Sequence, residues 1–149
     1  MIVSTKGRYA LRVMIDLAEH GEKEYIPLKE IAQRQQISEK YLEAILKILV
    51  QNGMLVGVRG KGGGYQLSRA PEQYTVGSVI RATEGDLAPV SCLGQHAKPC
   101  ARAAECRTLP MWQALDTLVH DFLEGYTIAD LMQQNGQKSD VPACDCPEK

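Results

Sequence analysis

Three cysteines, Cys92, Cys100 and Cys106, share one short stretch, S-C-L-G-Q-H-A-K-P-C-A-R-A-A-E-C, at the spacing C-x7-C-x5-C. Thiolates are soft ligands that suit iron–sulfur clusters and zinc. Gly94 and Pro99 favour an irregular loop, which wraps around a metal group more readily than a helix does. The neighbours Ser91, Gln95, His96, Lys98, Arg102 and Glu105 are polar, so these are not core cysteines. An iron–sulfur cluster, [2Fe–2S] or [4Fe–4S], is the expected cofactor, with Cys92, Cys100 and Cys106 as its ligands. Three thiolates leave one position open, for which His96, Glu105 and a tail cysteine are candidates. His96 also completes C-x3-H-x3-C-x5-C, a four-ligand zinc set, and a metal-free thiol switch is a further alternative. The tail pair Cys144 and Cys146, in A-C-D-C-P, could take metal or form a disulfide, although a solvated, dispensable tail is the plainer reading.

The segment before these cysteines must carry whatever they control. Residues 1–70 hold eleven Lys/Arg and seven Asp/Glu (11 − 7 = +4), and residues 71–149 hold six and eleven (6 − 11 = −5). A basic front and an acidic rear fit a protein that presents one face to a polyanion. A first helix is expected from Thr5 to His20, with Ser4 or Thr5 as its cap and apolar residues at Ala10, Val13, Met14, Leu17 and Ala18. Pro27, at a first helical position, opens a short helix facing inward through Leu28, Ile31 and Ala32. Ser38 then caps a second helix that buries Leu42, Ile45, Leu46 and Leu49 and stops at Asn52-Gly53. This pair reads as helix–turn–helix, although the Gly often found in its turn is replaced near Gln36. Met54–Val58 and Tyr65–Ser68 flank R-G-K-G-G-G and form a hairpin with a basic tip, the wing of a winged helix–turn–helix. Phosphate-binding glycine loops lead into a helix, whereas this one leads into a second strand.

Such a head binds double-stranded DNA through cations and neutral donors meeting phosphates, and chooses sequence through its recognition helix. Lys6, Lys40, Lys47 and Lys61 are the expected phosphate cations, and Thr5, Tyr9 and Tyr41 the neutral donors. Ser38, Glu39, Lys40 and Glu43 can reach base edges, Glu43 by accepting from cytosine N4. Arg59 is placed to enter a minor groove.

In the rear half, Thr75 caps a helix over Val76–Thr83, and the cysteine stretch leads into a long helix ending at Gly125. Leu109, Trp112, Leu115, Leu118, Val119 and Phe122 line one side of it, and Trp112, Leu115, Leu118 and Phe122 form a stripe that is either intrachain core or a subunit interface; the interface is expected, since a small reading head needs two copies to recognise enough bases. Thr127 and Asp130 start a last short helix, Ile128 to Gln133. The fold class is therefore mainly α with a small β-hairpin, a winged helix–turn–helix plus a long dimerisation helix. Residues 1–70 form the DNA-binding domain, 71–134 the cluster loop and dimerisation helices, and 135–149 a tail of disordered composition. There is no secretory signal and no apolar run long enough to span a bilayer, so the expectation is a cytoplasmic protein without a membrane partner. No nucleophile–base signature and no H-E-x-x-H element occurs, and an enzyme is not expected.

With these residues assembled, the chain resembles the IscR/NsrR-type family of winged helix–turn–helix iron–sulfur transcriptional regulators. The resemblance rests on S-T-K-G-R-Y-A-L, I-S-E-K-Y-L-E, V-R-G-K-G-G-G-Y and three cysteines before a long helix, and it covers residues 1–134. It implies a homodimer with crossed long helices on a pseudo-palindromic operator, acting as a repressor that senses cluster status, oxidants or nitric oxide. In the family the fourth ligand is a His three residues after the last cysteine or an N-terminal carboxylate. Here those positions are Leu109 and Arg8, so His96, Glu105, a tail cysteine or a partner-subunit residue remain open. The alternative is a cluster-free winged-helix regulator controlled by a protein partner, a small effector, zinc or thiol redox.

Overall fold

The computed structural model describes residues 3–21 and 24–134. Its elements run α1 (Thr5–His20), α2 (Leu28–Gln35), α3 (Glu39–Gln51), β1 (Leu55–Val58), β2 (Gly64–Leu67), α4 (Val76–Glu84), α5 (Leu109–Glu124) and α6 (Ile128–Gln133). This is the mainly helical winged fold that the periodicity predicts.

The Ser4 hydroxyl caps α1 by accepting from the Lys6 amide, and Ala10, Val13, Met14, Leu17 and Ala18 are buried along its inner face. Burying side chains of this size stabilises by about 1.5–3 kcal/mol each for the larger ones, which is why the apolar spacing dictates how the helix lies. Pro27 stands one position earlier than expected. It is the N-cap of α2, with extended backbone at φ −61°, ψ 143°, so the ring presets the entry and the helix begins at Leu28. The turn between α2 and α3 is made by Gln36 itself in the left-handed conformation, φ 54° and ψ 46°. Its N–H is spent on the carbonyls of Ala32 and Gln33. A side chain there costs about 1 kcal/mol or more relative to glycine, a strain held in place by the packing of the two helices on either side. The Ser38 hydroxyl then accepts from the Tyr41 amide, and α3 buries Leu42, Ile45, Leu46 and Leu49. Gly53, at φ 67°, ends it.

β1 and β2 pair antiparallel from Leu55↔Leu67 to Val58↔Gly64. The hairpin is not free at its base. Ile26, just before α2, exchanges two 2.9 Å N–H···O bonds with Tyr65. Gly64 is required at that join, because a Cβ would lie 2.3 Å from the Ile26 carbonyl oxygen. Behind the hairpin, the fully buried Tyr74 donates its hydroxyl to the Met54 carbonyl at 2.9 Å and accepts from the Arg69 amide at 2.8 Å. The wing is thus tied both to the start of α2 and to the chain entering α4.

α4 packs on α1, and α6 packs on α1 from another side through the buried Ile128. The expected box at Thr127 and Asp130 is present, each residue's side chain bonding the other's backbone N–H. A carboxylate with those bonds to Thr127 sits below its ordinary pKa.

α5 departs from expectation in one respect. The single apolar stripe resolves into two rows. Trp112, Asp116, Val119 and Leu123 are half-buried. Met111, Leu115, Leu118 and Phe122 form the adjacent row, with 55%, 39%, 66% and 61% of their surface exposed. The reason is geometric: residues 118 and 119 lie about 100° apart on a helix, so a stripe drawn through both spans two faces. No residue of α5 is fully buried.

Candidate functional site

The recognition helix α3 begins at the Ser38 cap and presents Glu39, Lys40, Tyr41, Glu43 and Lys47 to solvent. Between α3 and the wing lies a groove of about 410 Å³ whose walls include Glu43, Lys47, Arg59 and Tyr65. Arg59 and Lys61, at the wing tip, are exposed. The structure therefore gathers Glu43, Lys47 and Arg59 around one concavity, whose walls do not include Lys61.

Thr5, Lys6 and Tyr9 come from the first turns of α1. Thr5 is exposed and its hydroxyl accepts from the Arg8 guanidinium at 3.0 Å, while Lys6 is half-exposed. Tyr9 meets Tyr41 edge-on, ring centroids 5.9 Å apart, so the two expected neutral donors form a pair bridging α1 and α3. Arg12 was missing from the residues expected here. Its guanidinium lies 4.9 Å over the Tyr9 ring and bonds to Gln35 at the end of α2. The available signal was its i, i+3 spacing from Tyr9 on an exposed helix face.

Beneath this surface the buried Asp16 receives a bidentate bond from Arg34, at 2.9 and 2.8 Å, and a third from the Gln35 amide at 3.0 Å. Burial pushes its carboxyl up, but the bonds from Arg34 and Gln35 and the Arg34 charge outweigh it, and the pKa falls below the ordinary value. The pair locks α1 to α2 and so fixes the angle at which the helix–turn–helix leaves the core.

The cysteine loop runs from α4 to α5. Cys92 lies in a 3₁₀ turn, Ser91–Leu93, and Cys106 follows another, Ala103–Glu105. All three are free thiols, Cys92 and Cys100 exposed and Cys106 half-buried. The Cys106 sulfur stands 3.5 Å from the Thr108 hydroxyl, and hydrogen bonding to Thr108 holds this thiol below the ordinary cysteine value. Asp86 anchors the first half of the loop by accepting from the amides of Ala88 at 2.9 Å and Gln95 at 2.6 Å, which also lowers its pKa. Gly94 permits that approach, since a Cβ would come within 2.6 Å of the carboxylate. His96 and Glu105 are exposed.

Among the described residues, no three His, Cys, Asp or Glu side chains are grouped closely enough to hold a metal ion. The loop presents the three thiols without bringing them to one point. Its donor set nevertheless fits a thiophilic group: three free thiols, two of them exposed, on one segment whose hydrogen bonds are local. Cys144 and Cys146, like the rest of 135–149, lie outside the described residues. No helix of the described residues is long and apolar enough to cross a membrane.

Comparison with known proteins bears on this arrangement. The family model described as "Rrf2: Iron-dependent Transcriptional regulator" matches residues 3–134. The HTH-type transcriptional regulator IscR of Aliivibrio salmonicida is 36% identical over 135 residues, which span 91% of this chain and 79% of that protein. CymR (YrzC), the global cysteine regulator of B. subtilis, superposes with a TM-score of 0.72 at 35% identity, covering 89% of this chain and 97% of that one. The T. potens IscR structure gives a TM-score of 0.67 at 33% identity, covering 89% and 87%.

Proposed function

Since the chain belongs to the Rrf2 family of transcriptional regulators, and is not an enzyme, we propose that it is a homodimeric DNA-binding repressor whose operator affinity is set by an iron–sulfur cluster. The observation that carries this reading is the position of the thiols. Cys92, Cys100 and Cys106 sit on the segment between α4, which is tied to the DNA-reading α1, and α5, which keeps an apolar row exposed.

Residues 1–70 read DNA. Thr5, Lys6, Tyr9, Lys40, Tyr41, Lys47 and Lys61 meet phosphates, Ser38, Glu39 and Glu43 face base edges, and Arg59 enters a minor groove. Residues 71–134 sense and dimerise. The row Met111, Leu115, Leu118 and Phe122 recurs at intervals of four, three and four, the spacing of a helix-to-helix seam, and its exposed area is what a second copy covers. Two heads so joined face a pseudo-palindromic operator.

Cys92, Cys100 and Cys106 would hold the cluster, with His96, Glu105 or a partner-subunit residue completing its ligands. Such a group supplies iron–thiolate chemistry that responds to oxidants and nitric oxide. Asp86 already fixes the loop as far as Gln95, so drawing the three sulfurs together orders mainly residues 96–106, immediately before α5. That ordering sets the start of α5 and, through the dimer, the separation of the two recognition helices.

The spread of the three thiols favours a second reading, a cluster-free regulator governed by zinc, thiol oxidation, a small effector or a protein partner. One experiment separates them. Protein purified without oxygen is assayed for iron, sulfide and visible absorption, as wild type and as Cys92→Ala, and both are titrated with operator DNA. Stoichiometric iron and sulfide, lost in the variant together with a change in affinity, supports the cluster. Colourless protein that still binds and regulates supports the second reading.

A further inference from the structure

Arg12 has more structure around it than an exposed arginine requires. Its Nε donates to the Gln35 side-chain oxygen at 3.1 Å, and its Nη2 donates to the Gln35 main-chain carbonyl. That carbonyl is among the last of α2, which have no partner within the helix, and it immediately precedes the left-handed turn at Gln36. The Gln35 amide is in turn fixed from the other side, because its Nε2 donates to Asp16 at 3.0 Å. Asp16 is itself buried and gripped by Arg34. An unbroken chain of bonds thus runs from a buried carboxylate to the Arg12 guanidinium at the surface.

The guanidinium is where the chain meets the DNA-reading face. With two edges committed to Gln35, its plane is laid over the Tyr9 ring, and the Tyr9 ring stands edge-on against Tyr41 at the first turn of α3. A fork of two donors with a flat, weakly hydrated face is what arginine offers and lysine lacks.

We infer that Arg12 is a positioning residue for operator binding: through its fork to Gln35 it seats Tyr9, and through Tyr9 it seats Tyr41, at the entry of the recognition helix. The inference rests on the reading of Tyr9 and Tyr41 as phosphate contacts. It assigns Arg12 a role different from that of a surface cation, since two of its five N–H donors and one face of its guanidinium are engaged within the protein.

The test is an operator-duplex titration over a series of salt concentrations, using the full chain as wild type, Arg12→Ala, Arg12→Lys, Gln35→Ala and the double variant Arg12→Ala/Gln35→Ala, with Tyr9→Phe and Tyr41→Phe alongside. Thermal melts establish that each variant is folded. Arg12→Ala and Arg12→Lys are expected to weaken binding about equally, by about tenfold, the loss of one charge-assisted fork. The double variant is expected to bind no worse than the weaker single, because both substitutions cut the same link. The slope of affinity against salt stays unchanged. If Arg12→Lys instead binds as wild type while Arg12→Ala lowers the slope by about one, Arg12 is an ordinary phosphate contact and the inference is overturned. Additive losses overturn it as well. If the two Tyr→Phe variants bind as wild type, the reading of the tyrosines as phosphate contacts fails and takes the inference with it. Weakened Tyr→Phe variants beside a fully active Arg12→Lys remove the inference alone.

Discussion

One carboxylate oxygen of Glu84, the last residue of α4, accepts the Gly7 amide at 2.9 Å and also the Ser4 hydroxyl, so the end of α4 caps the beginning of α1. Gly7 is what allows it, because a Cβ there would stand 2.5 Å from the same oxygen. Gly7→Ala is therefore expected to push Glu84 away and lower stability by about 1.5–3 kcal/mol, the range for losing a hydrogen bond to a charged group. Glu84→Ala should cost a similar amount, and the double variant little more than either. Urea denaturation of the four proteins checks this, and simple additivity would show that the two residues are not coupled.

Asp16 offers a prediction in pH. Its carboxyl titrates lower in the folded than in the unfolded protein, so the stabilisation is complete above the ordinary Asp value, about 3.9, and is lost as pH falls through the depressed folded value. Asp16→Asn leaves Arg34 with only the exposed Glu30, 3.5 Å away, as its anion and should cost about 3 kcal/mol at neutral pH, at the low end for a broken buried pair because Arg34 is partly exposed. The variant's stability should also fall less steeply than the wild type's below about pH 4. Denaturant midpoints measured from pH 7 down to pH 3 test both statements.

The exposed row of α5 makes Leu118→Glu informative. Leu118 is two-thirds exposed in the single chain, so the charge should leave the melting of the head nearly unchanged. In a dimer the same charge is buried without a partner, and self-association should weaken by about a hundredfold or more. Sedimentation equilibrium reads this directly, and an unchanged association constant would show that the seam lies elsewhere.

Asp86 holds the loop through two amides rather than through burial. Asp86→Ala should leave the melting temperature within about 2 °C, as expected for a surface contact in a domain of this size. It should also speed tryptic cleavage after Arg102 several-fold, because these bonds are the loop's anchor. Equal cleavage rates would place the anchor outside this carboxylate.

Gln36→Gly should stabilise by about 0.5 kcal/mol. Relief of the left-handed strain, about 1 kcal/mol or more, exceeds the added entropy of the unfolded chain. Gln36→Val should instead destabilise, since β-branching is poorly tolerated at positive φ. Chemical denaturation resolves the two signs.

These residues also show which parts of the molecule were legible in the sequence. The bounds of α1 and α6, the hairpin and the buried face of α3 followed from apolar period, Ser and Thr caps and glycine, all of them local signals. Gln36 in a glycine conformation did not follow, because the turn is imposed by the packing of α2 and α3 and not chosen by the residue. Asp16 with Arg34, Arg12 with Gln35 and Glu84 with Gly7 are separated by 18, 23 and 77 residues. No local pattern marks such pairs. The two rows of α5 were merged because spacing alone does not say which face a neighbouring helix covers. The cysteines stand out in the sequence as candidate ligands by type and spacing, whereas their arrangement in space depends on a loop with few long-range bonds.

The chain's single tryptophan, Trp112, lies in the first turn of α5 on the half-buried side, six residues beyond Cys106. Residues 1–70 have none. The protein thus carries a built-in optical label confined to the half that holds the cysteine loop. Intrinsic emission excited at the red edge of the protein band reports on the cysteine loop and α5 while remaining blind to the wing and recognition helix, so events at the two ends of the molecule can be timed separately without attaching a dye.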